Sequence, residues 1–283
     1  MRQCIRAMPT TVLLPINECP SGGIRLYLHY PYFMTKIFDF HIHCGIAHNT
    51  KYSAKQTAEL FKNKKLKGVL CSSLSGIFDR QTAERDLTNL LKRGSRIKAA
   101  YWVNPYLPKW QLYAEDFCRK NNIAAIKLSP SANIYIPDED FMCPVFDFCA
   151  QTKKFIVIHT DEQRSNPLTY GELIKQYPKV PVVLYHLSTG LTNIHLARTY
   201  KNVFLETSFC ERSAGLIPLK TARKLLGDER MLFGTDYPLC GGHTNGAFYD
   251  DLIKIYSSVL TAGSLEKVFY SNAKNLLKDY GVL

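Results

Sequence analysis

From residue 37 onward, short apolar runs alternate with amphipathic stretches at intervals of about thirty residues, the spacing of repeated strand–helix units. The runs read as strands at 37–43 (IFDFHIH), 68–73 (GVLCSS), 97–103 (IKAAYWV), 124–129 (AAIKLS), 155–160 (FIVIHT), 182–187 (VVLYHL), 203–208 (VFLETS) and 231–236 (MLFGTD). Helical patterns lie between them, for example 53–65 with Ser53 as N-cap and 110–122. Eight such units in sequence predict the α/β class and a (β/α)8 TIM barrel over residues 37–283, close to the usual size of about 250 residues. Some distortion of the barrel is compatible with this pattern.

Residues 1–36 follow no such period. They are interrupted by Pro and Gly and meet a further methionine, Met34, just before the first strand, so a short irregular N-terminal extension is expected. Three readings stand for it: a segment upstream of a native start at Met34, a strand or plug at the bottom of the barrel, or a targeting segment carrying Arg2, Arg6 and Arg25 against the single acid Glu18.

Composition narrows the class of function. No run of eighteen apolar residues occurs, and TVLLPI (11–16) is broken by Pro15, so a membrane span is not expected. Nine cysteines, an odd number without a CxxC spacing, suit reduced thiols and therefore a cytoplasmic protein. The net charge of +12 raises the question of nucleic acid. Its densest run, KNKKLK (62–67), reads as the solvated end of a helix, and no recognition motif accompanies it. The expected partner is a small-molecule substrate, with neither nucleic acid nor membrane, and a homo-oligomer is left open.

Chemistry enters through FDFHIHCG (38–45). Residues i, i+2 and i+4 of a strand share a face, so Asp39, His41 and His43 are expected to point the same way, into the barrel. A strand HxH pair alone has an ordinary explanation in buried, hydrogen-bonded histidines. Four later strands, however, also end in an ionisable group: Lys127, His159, His186 and Asp236. Groups of this kind are costly to bury unless paired, and one divalent cation would satisfy several at once. The competing account keeps His159 and His186 as core residues and Asp236 as a turn cap before Pro238.

HxH on the first strand, Lys on the fourth, His on the fifth and sixth and Asp on the eighth resemble the metal-dependent amidohydrolase superfamily. The texts IKLSP, VIHTDE, LYHLSTG, NVFLETS, RMLFGTDYP and VFYSNAKNLL are similar to its amidohydrolase-related (amidohydrolase 2) branch over residues 37–280. The resemblance implies a metal held by His41, His43, His159 and Asp236, with Asp236 as general base and His186 beside the bound water or substrate carbonyl. It implies one divalent ion, zinc or else manganese, and no second metal. Lys127 is expected either to bind a substrate carboxylate or, if carboxylated, to bridge a second metal. Asp39 and Glu206 are expected to support the site. The activity implied is hydrolysis of a small-molecule amide, ester or lactone, with non-oxidative decarboxylation as the alternative. A non-catalytic barrel is disfavoured because every metal position is retained, and phosphate-ester hydrolysis lacks a Gly-rich cradle. Arg164 and His243 are weak candidates for substrate contact, and Trp102 and Tyr135 for an apolar wall.

Overall fold

The computed structural model describes residues 35–47, 50–161, 163–187, 190–239 and 246–282, and the strands lie within the compact unit Pro31–Leu283. The expectations on Met34 and the extension before it, and on His243, fall outside the described residues. Each apolar run is a strand because both of its faces are covered. The elements are β1 (Ile37–Ala47), β2 (Thr50–Tyr52), β3 (Leu66–Ser73), β4 (Ile97–Trp102), β5 (Ile123–Leu128), β6 (Phe155–Ile158), β7 (Val182–Leu184), β8 (Val203–Glu206) and β9 (Met231–Leu232). They form one sheet in the order β2-β1-β3-β4-β5-β6-β7-β8-β9. Among the described strands only β2 pairs antiparallel, as a hairpin on β1 that the hydrophobic pattern does not announce.

The parallel sheet curls until its ends meet. β9 is two residues long, but the chain after it stays beside β1: Phe40 N donates to Phe233 O (2.8 Å), Asp236 N to His41 O (2.7 Å) and His43 N to Tyr237 O (2.6 Å). These bonds make the fold a TIM barrel with one ragged seam. Inside lies a cluster built on Phe38, Phe40, Leu70, Ala100, Phe155, Val157, Val183 and Tyr185, joined by Ala273, Leu276 and Leu277 of the C-terminal helix Asn272–Asp279. The larger outer cluster takes the alternate strand positions, such as Ile156 and Ile158, together with the helices. Covering both faces is what lets parallel strands read as near-continuous apolar runs.

The helices begin where the caps indicate and end sooner than the pattern suggests. Ser53 caps Ala54–Glu59 in a capping box with Gln56, an arrangement worth about 1 kcal/mol. The expected continuation to residue 65 is instead a 3-10 turn, Leu60–Lys62, closed by Asn63 in extended conformation. Asn63 Nδ2 donates to Gly246 O (2.9 Å), which turns the chain into β3.

Candidate metal centre

Polar groups gather at the C-terminal ends of the strands, and β1 brings its two histidines there by an irregularity. Between Asp39 and Ile42 the chain advances three residues while β3 advances two, from Val69 to Cys71, which marks a β-bulge. The extra residue separates Asp39 from the histidines, correcting the expectation that all three share a face. Phe38 and Phe40 point inward with the inner cluster. Asp39 turns outward, accepting from Thr235 Oγ1 (2.7 Å) and Tyr249 OH (2.7 Å) and from the amides of Thr235 and His41 (3.1 Å each). Burial pushes its carboxyl up to about 7 despite these donors.

His41 and His43 face the barrel's centre. His41 Nε2 lies 3.1 Å from His43 Nε2, and Asp236 Oδ1 is 3.0 Å from the first and 2.9 Å from the second. Each outer ring nitrogen has its own partner. His41 Nδ1 is 2.9 Å from Glu206 Oε2, and His43 Nδ1 is 2.9 Å from Ser72 Oγ and 3.4 Å from Ser72 O. With Nδ1 protonated to serve these acceptors, both Nε2 lone pairs and a carboxylate oxygen converge on one small region. Such convergence is stable only around a cation or a proton. The titration behaviour agrees. Burial lowers the His41 pKa, but the Asp236 and Glu206 carboxylates outweigh it and the net shift is upward. Burial holds His43 below its ordinary value. Burial acts to raise Asp236, yet the His41 and His43 rings leave it well below the usual carboxylate range.

Glu206 is the hub beneath this arrangement. Fully buried on β8, it also accepts from Ser208 Oγ (2.8 Å), Ser208 N (2.5 Å) and His186 N (3.2 Å). Ser208 Oγ, donating to Glu206, accepts a hydrogen bond from His186 Nδ1–H (2.9 Å), which leaves His186 Nε2 as acceptor for His159 Nδ1–H at 3.0 Å. A line of hydrogen bonds thus runs from Glu206 through Ser208 and His186 to His159. Burial lowers the pKa of His186 far below its ordinary value, and burial with the nearby Lys127 charge lowers His159 to about 3, so both rings are neutral.

The sequence places His159 and His186 at strand ends, and the structure puts them one and two residues beyond β6 and β7. His186 and Asp236 both hold positive φ, 65° and 57°. This conformation is costly for non-glycine residues, and it persists here where backbone turns aim functional side chains. Among the described residues, one ligand atom each from His41, His186 and Asp236 lies within 4.8 Å of the others, a group able to hold a metal ion. His159 touches this group through His186.

Lys127 is fully buried on β5 with Nζ 4.0 Å above the Tyr185 ring, and that ring packs 3.7 Å from the His41 ring. Burial drives the lysine down to about 7, so much of it is a neutral amine at neutral pH. Arg164 is exposed on the loop after β6. Tyr135 is buried and stacks on Tyr106 at 5.0 Å. Trp102, on β4, stands with its indole 6.4 Å from the His43 ring. Ser72, Ser208 and Tyr185 were not singled out by sequence. The only available signal was their position: Ser72 and Tyr185 fall on inward strand positions, and Ser208 follows Glu206 by two.

A family model described as amidohydrolase matches residues 72–278. No protein of curated function matches the chain. Among solved structures it is similar to a probable 2-pyrone-4,6-dicarboxylic acid hydrolase of Acinetobacter baumannii, solved with citric acid bound (13% identity, 87% of this chain and 100% of that one, TM-score 0.64). It is also similar to 5-carboxyvanillate decarboxylase of Sphingomonas paucimobilis (14%, 86% and 99%, TM-score 0.67). A third neighbour is an amidohydrolase of Burkholderia multivorans solved with zinc bound (15%, 87% and 99%, TM-score 0.63).

Proposed function

The chain belongs to the amidohydrolase family, and from that premise we propose that it is a metal-dependent hydrolase of a small-molecule amide, ester or lactone. The observation that carries this reading is the meeting of His41 Nε2, His43 Nε2 and Asp236 Oδ1 within 3.1 Å of one another, each imidazole held from behind by its own acceptor. Mixed imidazole and carboxylate donors, with their outer nitrogens occupied, suit one borderline divalent ion, zinc before manganese. His41, His43, His159 and Asp236 are the proposed ligands.

A cation held there supplies Lewis-acid chemistry, polarising a carbonyl oxygen and acidifying water. The remaining work belongs to the side chains. Asp236, ionised at neutral pH, takes a proton from the attacking water and passes it to the leaving nitrogen or oxygen as the bond to the carbonyl carbon breaks. His186, neutral and fixed through Ser208, relays that proton through its Nε2 lone pair, and steadies the carbonyl oxygen once that nitrogen is protonated. Lys127 binds a carboxylate of the substrate from the floor of the site when protonated.

The test is elemental analysis of protein purified without chelator, followed by assay on lactones and amides beside aromatic and unsaturated carboxylic acids. One zinc or manganese ion per chain, lost in His41→Ala and Asp236→Ala, together with ring opening or amide cleavage, is the expected outcome. Release of carbon dioxide from the acids alone would replace hydrolysis with decarboxylation. Two ions per chain would assign Lys127 as a carboxylated bridge.

A further inference from the structure

Beside the metal centre, under the loops that follow β3 and β4, lies a cavity of about 270 Å³. Its walls carry Trp102, Trp110 and Tyr113. These are the chain's two tryptophans and one of its seventeen tyrosines. Trp102 faces both ways, lining the cavity while its indole stands 6.4 Å from the His43 ring and 5.7 Å from Lys127 Nζ. The indole is fixed there because Nε1 donates to Asn133 Oδ1 (2.8 Å). Gly76 allows the loop after β3 to lie against it, since a Cβ at that position would come within 2.7 Å of the Trp102 Cβ.

The lip is apolar as well. Phe78 and Leu107 line the cavity and are 79% and 58% exposed. Arg80, the cation on this wall, stacks 3.9 Å over Tyr113 and is paired to Glu84 at 2.7 Å, so its charge is already answered. An anion therefore gains little here, whereas a neutral flat ring meets Trp102, Trp110 and Tyr113 among the lining residues. The space equals that of about nine liquid waters. Water held by aromatic walls makes few hydrogen bonds, and displacing it with an apolar group gains affinity.

We propose that this cavity binds an aromatic ring of the substrate, remote from the reacting bond, with Trp102 as the wall it shares with the metal centre. The assignment of the ring to the substrate rests on the hydrolase reading, whereas the site itself does not.

Because Trp102 and Trp110 are the chain's two tryptophans, selectively excited tryptophan emission reports directly on this cavity. The zinc-loaded protein is titrated with 4-nitrobenzyl alcohol and, separately, with nitroethane. Saturable quenching by the aromatic probe is expected, with only collisional, linear quenching by nitroethane. Tyr113→Ala should weaken the aromatic probe about three- to tenfold, the loss of one aromatic pair. Linear quenching by both probes, or an affinity unmoved by Tyr113→Ala, would overturn the site. In the kinetic arm, the same probe should compete with phenyl acetate, and Tyr113→Ala should raise the KM for phenyl acetate more than that for methyl acetate. Saturable binding without competition would overturn the assignment to the substrate and leave a separate aromatic ligand as occupant. If neither ester turns over, the result counts against the hydrolase reading, and the quenching titration alone decides the cavity.

Discussion

Glu206 touches His41, Ser208 and the amide of His186, yet it is one shell removed from the region where the ligand atoms meet. Its replacement therefore separates orientation from coordination. Glu206→Gln keeps the shape but offers His41 Nδ1 a neutral partner, and metal affinity should fall about 10- to 100-fold, read by competition with a chromophoric chelator. Lys127 gives a prediction of a different kind. Its pKa drops from 10.5 to about 7 on folding, because burial disfavours the ammonium. Between those values the unfolded chain holds more protons at this lysine, so its contribution to stability should rise as pH climbs from about 7 toward 10.5 and stay flat below 7. In chelator-treated protein, the urea stability of the unaltered chain minus that of Lys127→Met should rise by about 1 kcal/mol per pH unit in that window, because the buried thiols of Cys71, Cys118, Cys149 and Cys210, pushed up on folding, oppose it equally in both proteins. Identical slopes in both proteins would remove the argument.

At the scale of elements, the regular pattern was legible and its interruptions were not. All eight parallel strands are visible in the alternation of apolar and amphipathic stretches, because a strand covered on both faces writes itself as a run of Val, Ile, Leu and Phe. A bulge leaves no such mark. One added residue in β1 sends Asp39 outward to Thr235 and Tyr249, and period-two reasoning assigned it to the wrong face. The Trp102 cavity depends on two loops lying side by side, a relation that no local pattern carries. The hydrogen-bond line from Glu206 to His159 passes through Ser208, which looks ordinary in the text ETS. The segment after β9 yields its own test. A Cβ on Gly234 would strike the Glu206 carboxylate and approach the His41 Cβ to 2.8 Å. Gly234→Ala should cost about 1–3 kcal/mol in stability by overpacking and weaken metal binding at the same time. A variant with lower stability and undiminished metal affinity would show that the site tolerates the displacement.

For the whole molecule, an ion bound to side chains from distant strands stabilises only the closed barrel. At a free concentration about 100 times the dissociation constant, the gain is about 2.7 kcal/mol. In a chain of this size that raises the melting temperature by roughly 4–6 °C. The unaltered protein should show this rise on adding zinc after chelation, and Asp236→Ala should not. The seam that the ion would bridge is the one formed when Asp236 N donates to His41 O and His43 N to Tyr237 O. Those partners stand nearly two hundred residues apart in the chain and are among its longest-range contacts. During synthesis the histidines emerge early and wait for their aspartate until almost the whole barrel has left the ribosome. On the proposed ligand set, metal capture would wait for completion: a chain that stalls before β9 carries His41, His43 and His159 but lacks Asp236.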